Sequence, residues 1–291
     1  MGVPDSMASY AAGQDLAPAA LRSAGLLEQL TASGLDVHDD GDLPHQAWSP
    51  DRDHPLAQNA GQVTTSVQQL ADRLYPLLAR SDDIALVLGG NCTIALGIAA
   101  ALWRLNAGAP GLLYIDRHYD INTPESTTDG ALDWMGLAHA LALPGCLDIL
   151  ADAFGRRPLL EADPAAAALA AVSRLPAGPL ALHLDVDVLD FTDAPLAENT
   201  DGRNTGPTLD QVTEALTAAA RDLRMRVLSI GELNPTRCAG DHDALPRFVT
   251  SIARILTANL LRVIRFIVGL VLSSNLESTS KAFTKLMFQE T

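Results

Sequence analysis

Lysine is nearly missing from this chain. It occurs at Lys281 and Lys285, and before them arginine is the sole permanently cationic side chain. Positive charge is scarce altogether: 20 Lys and Arg stand against 35 Asp and Glu, a formal net charge of -15. Such a surface repels nucleic acid and anionic membranes and suits cationic small molecules. Cysteine is sparse too. Three residues without close spacing make no disulfide framework, which points to a reducing, cytoplasmic setting. Cys146 and Cys238 have no metal-ligand spacing. The N-terminus shows no basic region followed by an apolar core, so no signal peptide is expected. Long apolar runs are absent as well. The run 264–272 is apolar but short, with Arg262 and Arg265 at its edge, and a membrane span needs about 20 apolar residues. No Gly-Lys-Ser/Thr follows Gly89-Gly90, which excludes a phosphate loop. No Gly-x-Ser-x-Gly elbow occurs, which excludes the usual serine-hydrolase arrangement.

What is present is ample apolar material: 48% of 291 residues, enough for one large domain or two small ones. The chain reads as a single domain over residues 1–261. The tail, 262–291, holds both lysines and loses the Ala/Gly/Pro bias, so no function is placed there. Periodicity predicts helices at 18–30, 62–80, from the Gly89–Thr93 turn to about 105, and at 132–143, 164–175, 208–223 and 243–261. Thr208-x-x-Gln211 is a capping-box pattern. Strands are predicted at 35–39, 84–88, 111–116, 180–188 and 227–232. Alternating strands and helices imply an α/β fold with a parallel sheet covered on both faces. Ligands in such folds bind beyond the carboxyl ends of the strands.

Two strand ends carry the chemistry. Leu112-Leu113-Tyr114-Ile115 runs into Asp116-Arg117-His118-Tyr119-Asp120. On an extended chain, residues two apart share a face, so Asp116, His118 and Asp120 would project together. They suit a divalent metal, although an acidic loop with one surface histidine is the bland alternative. Leu180-Ala181-Leu182-His183-Leu184-Asp185-Val186-Asp187 repeats the plan. Burying several carboxylates without a cation is costly, which tips the balance toward a shared metal. His183 has the parity of Asp185 but lies deeper in the strand, where it reads as a satisfied core histidine; His139, on a helix, reads as structural.

These motifs resemble the ureohydrolases: arginase, agmatinase, formiminoglutamase and relatives. The resemblance rests on Gly89-Gly90-Asn91-Cys92, on the run from Asp116 through Asn122-Thr123-Pro124, on Asp185-Val186-Asp187-Val188-Leu189-Asp190, and on Gly231-Glu232-Leu233-Asn234-Pro235. It implies a three-layer α/β/α fold, two Mn2+ ions and a homo-oligomer, trimeric or hexameric. The implied reaction is hydrolysis of a linear guanidino or amidino C–N bond by metal-activated hydroxide. By position, Cys92, Asp116, His118, Asp120, Asp185 and Asp187 fall on the metal ligands. Asp120 would also steady the nucleophile, Glu232 would grip the guanidinium, and Asn122 would lie near the substrate's other end.

Four departures accompany the resemblance. Cys92 fills the slot of the family's first histidine ligand; a thiolate would favour Zn2+ or Fe2+, or leave one metal, and the cysteine also reads as a small buried residue in a tight turn. Some relatives that hydrolyse N-hydroxyarginine carry cysteine there. Asp133 takes the slot of a proton-shuttling histidine, and reads either as a carboxylate for a cationic group or as a helix-end acid. Residues 144–179 are short for the family's further strand and helix, and the family's first strand, ahead of Gly2, is missing. The competing reading is therefore a catalytically impaired arginase-fold protein that binds metal or ligand or serves as an oligomer subunit.

Overall fold

A computed structural model describes residues 1–81, 83–105, 110–147, 150, 175, 177–200, 204 and 206–274, with side chains through 259. Four parallel strands form the sheet: β1 (Ala85–Leu88), β2 (Gly111–Ile115), β3 (Leu180–Asp185) and β4 (Met225–Gly231), in the order β1-β4-β3-β2. Alternation along the strands sends side chains to opposite faces. Leu182, Leu184, Leu228 and Ile230 pack with α1 (Ala17–Ser23), α2 (Leu26–Ala32), α6 (Leu209–Ala219) and α7 (Ala244–Ser274). Val87, Ala181 and Val227 pack on the other face with α3 (Ala60–Arg80) and α4 (Ile94–Leu105). The three-layer α/β/α expectation holds.

The helices follow their patterns. α3 turns Val63, Val67, Leu70, Leu74 and Leu78 inward. α6 begins at the capping box: Thr208 Oγ1 accepts from Gln211 N, and Gln211 Oε1 accepts from Thr208 N. α4 is buried from Ile94 to Leu102, because it lies between the sheet and α3.

Several elements differ from expectation. The helix predicted at 18–30 is two helices, broken where Gly25 takes a left-handed φ of 86°. Residues 35–39 form no strand; Leu35 and Val37 pack on the core without pairing partners. The helix expected at 132–143 is a 3-10 turn, Asp133–Met135, and a short α5 (Gly136–Ala140). β3 stops at Asp185, and Val186–Val188 is a 3-10 turn. α6 ends at Ala219 rather than 223, and α7 runs past 261 to Ser274. The helix predicted at 164–175 and most of the short middle lie outside the described residues.

Residues 1–3 run beside β1. Val3 N donates to Leu88 O (2.8 Å), and Leu88 N donates to Met1 O (3.0 Å). Main chain thus covers the free side of β1, where an open edge would invite pairing. No described helix is long and apolar enough to cross a membrane.

Candidate functional site

Sheet register assembles the site. Tyr114 pairs with His183, and His183 with Ser229; two pairs further on, Asp185 pairs with Gly231. These side chains share the α4 face. Asp116 follows directly on β2, so it arrives beside Asp185.

Beyond the strands the two acidic stretches turn in the same way. Asp116 Oδ1 accepts from His118 N (2.6 Å), and Asp185 Oδ1 accepts from Asp187 N (2.7 Å). Each aspartate closes a small side-chain-to-backbone turn. The chain is therefore not extended where the ligands sit, which corrects the same-face argument. The residues converge because both strands end in one row and both turn. Asp120 takes a φ of +48°, and its Oδ2 accepts from the Tyr114 hydroxyl.

The residues fit divalent cations. Cys92, Asp116 and Asp185 each offer a donor atom within 4.8 Å of the others, as do Asp116, His118 and Asp120. Asp116 Oδ2 and Asp187 Oδ1 are buried with no hydrogen-bond partner. An anionic oxygen buried without a donor is expensive, and a cation removes the expense. His118 approaches the other oxygen of each carboxylate. Its Nδ1 lies 2.9 Å from Asp187 Oδ2 and 3.4 Å from Asp116 Oδ1. Hydrogen bonds to Asp116 and Asp187 push its pKa up to about 10.

Glu232 and Cys92 form the opposite wall. Glu232 has a φ of +59°. Its Oε1 accepts from Cys92 N (2.8 Å), and its Oε2 accepts from Gln14 Nε2 (3.1 Å). Burial, then the charge of Asp133, raises the Glu232 carboxyl well above its ordinary range. Burial followed by neighbouring carboxylates does the same for Asp120, Asp133 and Asp185. Burial raises the Cys92 thiol, with Asp185 adding to it. Cys92 Sγ lies 3.1 Å from Asp185 Oδ2 and 3.2 Å from His183 Nε2. His183 is thus a core histidine that reaches the site, and burial lowers its pKa to about 4.

Cys92, His118, Asp120, Asp185, Asp187 and Glu232 line a small cleft that opens to solvent. Asp133 lies on its wall. Asn122 does not; its Oδ1 accepts from Ser126 Oγ (3.0 Å) in the neighbouring loop. Sequence reasoning missed Tyr10, Trp134 and Asn199, which complete the wall. Trp134 stacks on Tyr10 (5.8 Å between centroids) and meets His118 edge-on. Its position beside Asp133 was the available signal. Tyr10 and Asn199 come from remote loops and left none.

Residues 1–150 match the Arginase family. Human Arginase-1 is 36% identical over 132 residues, 45% of this chain and 40% of that protein. Arginase of Bacillus subtilis is 31% identical over 143 residues, 49% of this chain and 47% of its own length. By sequence the chain thus matches less than half the length of these relatives. In fold the likeness is longer. Arginase from Bacillus caldovelox superposes with a TM-score of 0.71 at 23% identity, covering 88% of this chain and 96% of its own. Formimidoylglutamase from Bacillus subtilis gives 0.57 at 18%, covering 90% and 85%. With the family's motifs at the strand ends and its fold around them, this chain belongs to the arginase family.

Proposed function

We propose that the chain hydrolyses the C–N bond of a linear guanidino or amidino compound with two divalent ions, Mn2+ foremost. The ions would be held by Asp116, His118, Asp120, Asp185 and Asp187, with Cys92 at the remaining family position. One observation carries the proposal: two matching turns converge and leave Asp116 Oδ2 and Asp187 Oδ1 buried without donors. When bound, such ions would bring the pKa of a water close to neutral and stabilise the resulting hydroxide.

The chain's own groups bind and orient. Glu232, fixed by Cys92 N and Gln14, accepts hydrogens from the cationic guanidinium, and that charge draws the carboxyl back to its ionised form. Tyr114 occupies Asp120 Oδ2 and leaves Oδ1 for the metal or a water proton. Asp133 carries protons or receives a cationic end of the substrate. Its raised pKa moves it toward the range a proton carrier needs. The acidic surface draws cationic substrates in. Assembly into a homo-oligomer belongs to the same proposal.

A second reading is favoured by Cys92. Burial and Asp185 favour the protonated thiol, and sulfur is a poor donor for manganese. Under that reading the chain is a catalytically impaired family member, a ligand-binding or oligomer-forming subunit. Metal content after anaerobic dialysis against Mn2+ tests both readings. Urea or ammonia release from arginine, N-hydroxyarginine, agmatine, guanidinobutyrate and formiminoglutamate is measured alongside. Two ions and turnover of one substrate are expected. Bound ions with no turnover across the panel would establish the second reading, and no bound ion would end the first.

A further inference from the structure

The surroundings of His183 are those of a ligand. The imidazole is fully buried and stacks on the Tyr114 ring, 4.6 Å between centroids. Ser229 Oγ lies 2.8 Å from its Nδ1. The same hydroxyl donates to Leu182 O, so it accepts from Nδ1–H, and this assigns the ring's lone pair to Nε2. An imidazole held through one nitrogen by a fixed acceptor is how metal-binding histidines are oriented. Nε2 faces Cys92 Sγ at 3.2 Å, and Sγ also lies 3.1 Å from Asp185 Oδ2. A ring nitrogen and a carboxylate oxygen thus face the same buried sulfur. Gly231 keeps the space open. A Cβ there would stand 2.9 Å from Cys92 Sγ and 3.1 Å from His183 Cε1.

We propose that Cys92, His183 and Asp185, with Asp116 beside them, form a zinc-selective site of mixed sulfur, nitrogen and oxygen donors within the metal centre. His118, Asp120 and Asp187 are left for the second, harder ion. The assignment rests on the metal-site reading above and changes what that reading expects: the two positions take different metals. Thiolate with imidazole suits zinc, while carboxylates suit manganese. As the Zn–S bond forms, the thiol proton leaves to solvent.

Cobalt(II) is the probe. The anaerobic wild-type protein loaded with Co2+ should show sulfur-to-cobalt charge-transfer absorption, and Cys92→Ser should abolish it. His183→Gln should alter the visible ligand-field bands and weaken zinc, measured by chelator competition. Ser229→Ala keeps both ligands and should cost on the order of 10–100-fold in zinc affinity, with manganese affinity unchanged. The zinc K-edge spectrum of His118→Asn spares the buried residues, should these variants not fold. One sulfur at about 2.3 Å with an imidazole nitrogen at about 2.0–2.1 Å supports the assignment. Sulfur without imidazole, or no sulfur, overturns it. If manganese binds and zinc shows no sulfur, this assignment alone falls. If no divalent ion binds, the metal-site reading falls with it.

Discussion

After β2, Asp116 accepts from the amide two residues on; after β3, Asp185 does the same. The settings of these two turns differ. β3 is buried at every residue and has β2 and β4 on its flanks. β2 ends the described sheet, and four of its five residues are half-buried. The β3 turn is held by its neighbours. The β2 turn is held by what it touches across the site: His118 on Asp187, and Asp120 on Tyr114. The same local device thus gives ligands fixed by the scaffold on one strand and ligands fixed by the site's own charges on the other.

Asp185→Asn and Asp116→Asn test that contrast most strongly. An amide keeps the turn acceptor and removes the charge. Asp185→Asn should abolish tight ion binding and stabilise the ion-free protein by about 1–3 kcal/mol, because a buried carboxyl is replaced by a neutral group. Asp116→Asn should also lose the ion, with a smaller gain in thermal stability. Equal gains in calorimetry would erase the difference between the two turns.

Gly231→Ala comes next. Its Cβ meets Cys92 and His183, so overpacking should cost about 1–3 kcal/mol in denaturant melts and disturb the β3 side of the centre alone. Tyr114→Phe acts on the β2 side. It leaves Asp120 Oδ2 without its donor, a cost of about 1 kcal/mol that bound metal should reduce. If metal leaves that cost unchanged, the β2 turn is as scaffold-bound as the β3 turn.

The smallest effect concerns pH, since the His118 imidazole is partly open to water and screened. Its folded pKa is raised from 6.5 to about 10. Its contribution to ion-free stability is therefore complete below 6.5 and is lost as pH rises through about 10. His118→Asn should flatten the stability profile across that window. An unchanged profile would remove His118 as the internal counter-ion.

Which parts of this were legible in the sequence follows from distance along the chain. Strands β1 to β4, α3 and the capping box at Thr208 come from patterns within a few residues, and those patterns held. The acids at 116, 120, 185, 187 and 232 were legible because each follows an apolar strand. The reason offered for their convergence was wrong: Asp187 sits in a 3-10 turn and Asp120 in left-handed backbone. Turn geometry after a strand depends on tertiary neighbours, which a single sequence does not display. The break at Gly25, the unpaired residues 35–39 and the wall built by Tyr10 and Asn199 were hidden for the same reason. His183 shows the limit best. Its burial was legible, but its contact with Cys92 spans 91 positions.

The left-handed backbone at Asp120 and Glu232 has a consequence for inheritance. Neither side chain favours that conformation, and glycine adopts it freely. Replacement of either acid by glycine should therefore ease the backbone while deleting the carboxylate. A lineage selected for folding alone would drift toward glycine at both positions. Asp120 and Glu232 stand where stability by itself would not keep them.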